Sequence, residues 1–407
     1  MSLILACLLQ SPNLEPIYTI GGPWFGQSLV RVSDQDGDRR DDLAVGSVPL
    51  TGSGGRCSVV YLYSTRDFKL LATLRGSTCD ARPVAAIPAT PIWPKGALVI
   101  SNEDSGYEVL SLHDARVRWK RVGVRPCMLN SSAAETVGDV DGDGVGDFAG
   151  VVRAPGGDVH VELFSGLAGV VRWVSRDVWG SLVTPRLCVA PDFDGDGIGE
   201  LWMVEGAGAT ALDTTRVELL SGRSGQSILA VLHPHESSGR SEAVASIPDI
   251  DGDRVADLAL GFEVEGSTAN PPSGWVDVLS GATGETIFRV DARRGDGEFG
   301  AHLAASRAAP CPRWAIAAHG DLWFDAPGCV VIVERGAREP FARFAPKGRA
   351  RGFGAALEFV PDLDGDGFEE LAATALEWEW EEADDGFVTI LDGGSLSVIR
   401  ELRPPAW

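Results

Sequence analysis

Five copies of one acidic segment recur along the chain, and their spacing constrains the fold more than any other feature. They read SDQDGDRRDDL from Ser33, GDVDGDGVGDF from Gly138, PDFDGDGIGEL from Pro191, PDIDGDRVADL from Pro248 and PDLDGDGFEEL from Pro361. Numbered from its first aspartate, each segment carries carboxylates at positions 1, 3, 5 and 9 of a nine-residue turn, with glycine at position 4. Carboxylates this close repel one another and force the turn open unless a cation lies among them. The pattern therefore asks for a hard divalent ion.

Calcium accepts six to eight oxygens at about 2.3–2.6 Å in flexible geometry. A turn offering side-chain oxygens at 1, 3, 5 and 9 and a backbone carbonyl at 7 can wrap one ion. The predicted ligands are Asp34, Asp36, Asp38, the carbonyl of Arg40 and Asp42 in the first loop. The second loop supplies Asp139, Asp141, Asp143, Val145 and Asp147, and the third Asp192, Asp194, Asp196, Ile198 and Glu200. The fourth has Asp249, Asp251, Asp253, Val255 and Asp257, and the fifth Asp362, Asp364, Asp366, Phe368 and Glu370. Up to five Ca2+ are expected. An EF-hand shares these nine positions but needs a bidentate Glu at position 12 and a following helix. Position 12 is Val45, Gly150, Met203, Leu260 or Ala373. Short apolar runs follow each loop and suit buried strands, so the EF-hand is rejected. Arg39 and Arg254 occupy position 6 where the other loops have glycine. A side chain on a strained backbone and a positive charge beside the ion both weaken a site.

The first aspartates fall at 34, 139, 192, 249 and 362, so the outer steps are about twice the inner ones. A repeat is hidden in each long step. AIPATPIWPKGALVIS aligns with SIPDIDGDRVADLALG without a slip and puts Ala89, Pro91, Trp93 and Ala97 where carboxylates would stand. FGAHLAASRAAPCPRWAIAAHG aligns with FGQSLVRVSDQDGDRRDDLAVG and puts Ala308, Pro310, Pro312 and Ile316 there. Seven units result, two of them without metal ligands. Every unit also carries a hairpin of alternating apolar residues about a polar turn, such as RVELLSGRSGQSILAVL and VDVLSGATGETIFRV. Strand, acidic loop, strand, long loop, strand, turn, strand is the blade of a propeller. The expectation is an all-β, seven-bladed β-propeller of four-stranded antiparallel blades over 17–407, preceded by a tail over 1–16.

The loops, with the pairs Phe25-Gly26, Phe299-Gly300 and Phe353-Gly354, resemble the FG-GAP repeat family, the propeller of integrin α-subunit heads and of many bacterial surface and secreted proteins. Each Phe stands nine residues before its first loop position. The other four units lack the pair, although Gly239-Arg240 lies near the equivalent place in the fifth. The resemblance implies calcium in the loops between the first and second strands of a blade. It does not imply integrin function.

The formal charge is −23, and five Ca2+ would leave −13. The remaining acidity argues against nucleic acid or anionic membranes as partners. The apolar stretch from Leu3 to Leu9 is too short to span a bilayer and reads as the remnant of a signal peptide. Ile4-Leu5-Ala6-Cys7 makes a poor lipobox, so a lipoprotein is the lesser expectation and a secreted or cell-surface protein the greater one. Apart from Cys7, six cysteines remain, an even number that permits disulfides, with Cys311–Cys329 and Cys57–Cys79 the preferred pairs.

Strand alternation puts the acidic loops on one face and the long second-to-third connections on the other. A protein or carbohydrate ligand is expected on that second face, where Trp323, Phe324, Trp378, Trp380 and Trp275 could form an aromatic rim with Asp325, Glu379 and Glu381. The competing packing for these aromatics is against neighbouring blades. The chain is thus expected to be an adhesion or recognition module. The alternative, a lyase-like carbohydrate-active enzyme, requires a central pocket on the long-loop face with perturbed titratable groups. Arg153 and His319 stand near such positions, whereas HExxH and GxSxG motifs are absent. His233 and His235 flank a proline and read as a chance pair.

Overall fold

Alternating apolar strands joined by tight turns pair most readily with their neighbours in sequence, and each blade here consists of four consecutive antiparallel strands. The computed structural model describes residues 25–404 except 48–58, 76–80, 103–105, 122–124, 127–133, 155–156, 177–184, 206–213, 235–238, 265–272, 294–295, 308–312, 320–327, 335–336, 347–351 and 377–385. Blade 1 comprises Ser28–Val32, Asp42–Ser47, Val59–Tyr63 and Leu70–Arg75, and blade 2 Ala81–Ile87, Ala97–Asn102, Gly106–Ser111 and Val117–Arg121. Blade 3 comprises Ala134–Gly138, Asp147–Arg153, Val159–Phe164 and Val171–Val174, and blade 4 Arg186–Ala190, Glu200–Glu205, Thr214–Leu220 and Ser227–Pro234. Blade 5 comprises Gly239–Ile247, Asp257–Val264, Ser273–Leu279 and Thr286–Asp291, and blade 6 Phe299–Ala305, Arg313–Ala318, Cys329–Glu334 and Ala342–Phe344. Blade 7 is Phe353–Val360, Glu370–Ala375, Phe387–Leu391 and Val398–Leu402. The expected seven blades are all present, including the two that lack acidic loops. A short strand at Arg125–Pro126, absent from the sequence reading, pairs with Val152 and Arg153 beside blade 3. The described residues contain no helix, and so none long and apolar enough to cross a membrane.

The hydrophobic core is divided by the ring into seven clusters, each lying between one pair of adjacent blades. Tyr107 of blade 2 packs on Phe148 and Phe164 of blade 3, for example, and donates its hydroxyl to the Val151 carbonyl at 2.8 Å. One cluster joins blades 7 and 1 through Phe25, Tyr61, Val360 and Ile390, so the ring is closed. Val398–Leu402 provides the outer strand of blade 7, while Ile17–Ile20 lies outside the described residues.

The three Phe-Gly pairs sit at blade junctions. Phe25, Phe299 and Phe353 are buried, and Gly26, Gly300 and Gly354 adopt φ of 83°, 90° and 93°. A Cβ on Gly26 would lie 2.6 Å from Thr374 of blade 7, and one on Gly354 2.6 Å from Ala317 of blade 6. Glycine is required there both by the backbone and by the close approach of the preceding blade.

A repeated acid on the third strand latches blades 2 to 5 in series. Arg121 of blade 2 reaches Glu162 of blade 3, and Arg176 after blade 3 reaches Glu218 of blade 4 at 2.6 Å. His233 of blade 4 meets Asp277 of blade 5 at 2.9 Å, stacked on Phe262. His233 therefore acts as a latch between blades 4 and 5; His235 lies outside the described residues. Trp275 is also interior: it stacks on Phe262 beneath Arg289 and donates its indole N–H to Asp277, so it does not belong to an exposed aromatic rim. The other proposed rim residues, Trp323, Phe324, Asp325, Trp378, Glu379, Trp380 and Glu381, lie outside the described residues.

The expected Cys311–Cys329 disulfide is not formed. Cys329 is a buried free thiol directed at Asp296 and Cys188 is a second one, while Cys57, Cys79, Cys127 and Cys311 lie outside the described residues. An even cysteine count carries no geometry, and Cys329 begins an interior strand packed between blades 5 and 6.

Removing the acid from a buried pair leaves its partner without compensation. Asp277→Ala is therefore expected to destabilise the fold by about 3 kcal/mol, read as a lower urea midpoint with an unchanged slope. A loss below about 1 kcal/mol, the range of exposed pairs, would contradict the latch.

Candidate metal centres

Each acidic loop is folded by its own side chains. At position 1, Asp139 Oδ1 accepts the Gly142 N–H at 2.7 Å and Oδ2 the Gly144 N–H at 2.9 Å. Asp34, Asp192, Asp249 and Asp362 do the same with positions 4 and 6 of their loops. Both donating positions are left-handed, with φ of 77° at Gly142 and 87° at Gly144. Arg39 and Arg254 are held in that region too, at 70° and 74°. At position 5, one oxygen accepts the position 7 N–H at 2.8–2.9 Å in all five loops.

The position 9 carboxylate stands at the root of the second strand and is buried. It accepts the position 2 N–H from Gln35, Val140, Phe193, Ile250 or Leu363 at 2.5–2.8 Å. Where position 9 is Asp, its other oxygen also accepts an N–H from the turn between the third and fourth strands. Thr65 donates to Asp42, Gly166 to Asp147 and Gly281 to Asp257 at 2.9–3.1 Å.

These bonds gather the carboxylates inward. Donor oxygens from positions 1, 3 and 9 lie within 4.8 Å of one another in the second to fifth loops, and those from Asp34, Asp36 and Asp38 do so in the first. Three buried oxygens in the loops, Asp38 Oδ2, Glu200 Oε1 and Glu370 Oε2, have no hydrogen-bond donor. Buried carboxylate oxygens are ordinarily satisfied, so acceptors without donors fit a cation. At position 7, the carbonyl-bearing residues Val145 and Ile198 bury their side chains between blades, which fixes their loops to the ring.

The turn after the third strand adds residues that the loops alone did not reveal. In blades 3 and 5, Ser165 and Ser280 donate to position 5 at 3.3 and 3.4 Å. In blade 4, Arg223 donates to Asp196 Oδ2 at 2.7 Å and to its carbonyl at 2.8 Å, placing a fixed cation on that loop. The signal in the sequence was the repeated Ser-Gly after the third strand, which loop spacing does not connect to the acidic loops.

The two blades without ligands use protein groups instead. In blade 2, Trp93 is buried at the former position 5, and Lys95 donates from Nζ to the carbonyls of Asp34 and Gln35 in the first loop at 3.3 and 2.7 Å. In blade 6, buried Arg313 lies 3.5 Å over the Phe368 ring and donates to the Gly393 carbonyl of blade 7. Residues 308–312 of that loop lie outside the described residues.

A central channel of about 870 Å³ is lined by the first strands of all seven blades. Towards the acidic-loop end, Arg31 pairs with Asp41 at 2.8 Å and Glu369 at 2.6 Å, and Arg307 approaches Glu358 at 3.9 Å. Burial raises Glu135 to about 8, with Arg307 opposing and Glu358 adding to the rise. At the opposite end, burial lowers His302 to about 3, helped by His319 and Arg186. His319 contacts Glu298 at 3.3 Å, and Arg153 donates to the Gly157 carbonyl at 3.4 Å.

No protein-family profile matches this chain, and neither does any curated protein sequence. Among solved structures it is similar to Sqt1 of Saccharomyces cerevisiae, with a TM-score of 0.54 and 13% identity over 95% of this chain and 86% of that one. It is also similar to the hydrazine synthase of Kuenenia stuttgartiensis, with a TM-score of 0.54 and 15% identity over 94% of this chain and 98% of that one. At these identities the likeness shows the propeller fold alone.

The buried position 9 carboxyls are pushed up by burial and then by their neighbouring carboxylates, against the pull of backbone N–H groups. Asp42, Asp147 and Asp257 rise to about 6 and Glu370 to about 8. A carboxyl raised by folding supports the fold below its unfolded pKa and loses that support as pH climbs through the folded value. Metal-free protein is therefore expected to melt lower at about pH 9 than at about pH 7, a range over which His302 is neutral in the fold and mostly neutral in the unfolded chain. Glu370→Gln, which cannot ionise, should shrink that difference in calorimetry; an unchanged slope would contradict the assignment.

Proposed function

We propose that this chain is a calcium-stabilised β-propeller of the FG-GAP type, acting outside the cell as a recognition module. The observation that carries the reading is the set of buried loop oxygens without donors, at Asp38, Glu200 and Glu370, inside carboxylate clusters already curled as a cation requires. The Phe-Gly pairs at blade junctions support the family resemblance. A rigid ring whose metal loops occupy one face leaves the opposite connections free to bind a protein or carbohydrate. Extracellular calcium suits sites with dissociation constants of about 10⁻⁴–10⁻³ M. Calcium at ten times the Kd contributes roughly 1.4 kcal/mol per site.

A second reading, a carbohydrate-active enzyme, draws on the charged channel at Glu135, Arg307 and Glu358. Those groups lie towards the acidic-loop end, whereas that enzyme was expected to work from the long-loop face. Turnover of a polysaccharide by wild-type protein, lost in Glu135→Gln, would favour this second reading.

Calcium titration by calorimetry tests the first. The expected result is binding of five ions and a melting temperature several degrees higher with calcium. The Arg39 and Arg254 loops are expected to fill last, and the Arg39→Gly and Arg254→Gly variants to bind at lower calcium, because a left-handed non-glycine residue costs about 1 kcal/mol. No heat of binding and no change in melting temperature would refute calcium as the ion.

A further inference from the structure

The geometry points to Asp392 as a fifth carboxylate ligand of the blade 7 site, making that site the first to take calcium. The inference rests on calcium being the ion in these loops. The turn after the third strand has one design in six blades, in which the N–H of its first residue donates to the carbonyl five residues on. Those first residues are Ser64, Ser111, Ser165, Ser221, Ser280 and, in blade 7, Asp392. The serines of blades 3 and 5 donate a hydroxyl hydrogen to the position 5 carboxylate. An ionised Asp has no hydrogen to donate, so blade 7 exchanges a donor for an anion.

That anion lies at the loop. Asp392 Oδ1 caps its own turn, accepting the Ser395 N–H at 2.5 Å and the Ser395 hydroxyl at 2.7 Å. Asp366 Oδ2 and Asp392 Oδ1 flank the same point, 2.5 and 3.3 Å from where a Cβ on Gly394 would stand. Gly394 thus leaves the space that two carboxylates need to approach each other. The second observation is Glu370, 1% exposed, whose Oε2 has no donor. With Asp392 the blade 7 loop has five carboxylates beside it, Asp362, Asp364, Asp366, Glu370 and Asp392, against the four ligands of each other loop.

The cations facing the cluster bond to backbone carbonyls or to Glu334, not to the loop carboxylates. Arg40 donates to the Asp362 carbonyl at 3.1 Å, and Arg313 to the Gly393 carbonyl and to Glu334. The blade 4 loop, by contrast, has Arg223 on Asp196, and the blade 3 loop has Arg172 at 3.6 Å from Asp141. Position 6 is Gly367, free of the strain and charge carried by Arg39 and Arg254.

Asp392→Ser installs the residue of the other blades, and serine can also cap the turn, as Ser165 and Ser221 do. In a calcium titration of the full chain, wild type should show one site tighter than the rest, and the variant should weaken that site about tenfold at unchanged stoichiometry. Calcium-free, the variant should melt higher than wild type, because a repelling charge is gone; calcium-loaded, it should melt lower. A purely structural Asp392 would lower melting in both conditions. That result, or a titration identical to wild type, would overturn the assignment while leaving calcium in place. Failure of the wild type to bind calcium would overturn both.

Discussion

A buried carboxylate at the start of the second strand organises each acidic blade. Its two oxygens face the N–H of position 2 and, where it is aspartate, the turn after the third strand. Three segments that are remote in sequence thus meet on one side chain: the inner loop, the strand root and the outer hairpin. Glutamate at this position reaches further and leaves an oxygen unused, as Glu200 and Glu370 show. The carboxylate therefore joins blade architecture to ion chemistry, since the group that fixes the hairpin is also the one a cation would draw inward. Glycine at Gly166, Gly222, Gly281 and Gly393 follows from the same contact. A Cβ at any of them would lie 1.9–2.0 Å from the position 8 carbonyl.

The two blades without carboxylates show what the geometry requires when no ion is offered. Trp93 fills its loop with apolar volume, and the charge that remains nearby is turned outward to a neighbour. Lys95 supplies the first loop with a fixed ammonium, and Arg313 lies against the aromatic residue of the fifth. Each silent blade thus adds a permanent cation beside an acidic loop of an adjacent blade. In blade 2 the turn is filled by Trp93, and in both blades a cation stands beside a neighbouring acidic loop.

Blade number, strand order and the loops were legible because every piece of that information is local. The nine-residue motif contains its own hydrogen bonds, and the hairpins announce themselves by alternation. What could not be read depends on register between segments tens of residues apart. Arg223 reaches Asp196, and Ser165 reaches Asp143, only because sheet pairing brings the outer turn over the inner loop. The latch acids Glu162, Glu218 and Asp277 recur in the third strand as VEL, VEL and VDV. Their meaning needs the neighbouring blade, which is absent from any single repeat. Trp275 was misplaced for a related reason: the third strand of blade 5 begins before it, so a residue that looked like loop is core. The Cys311–Cys329 pairing failed because proximity in sequence within a blade does not set the side on which a thiol faces.

The closing seam gives the end loops a second role. Some rings close by borrowing an outer strand from the opposite terminus, whereas among the described residues blade 7 is assembled from consecutive C-terminal segments. The seam between blades 7 and 1 relies instead on the Phe25 cluster and on polar ties. Arg31 pairs with Glu369, Arg40 donates to the Asp362 carbonyl, and Tyr63 donates to the Arg403 carbonyl at 3.4 Å. Two of those ties involve residues of the first and fifth acidic loops themselves. Glu369 directly precedes the position 9 carboxylate, and Asp362 is position 1. A cation holding either loop in shape would also hold the residues that join the first blade to the last. Opening the ring at this seam would spread both loops, so ion binding there and ring closure draw on the same backbone.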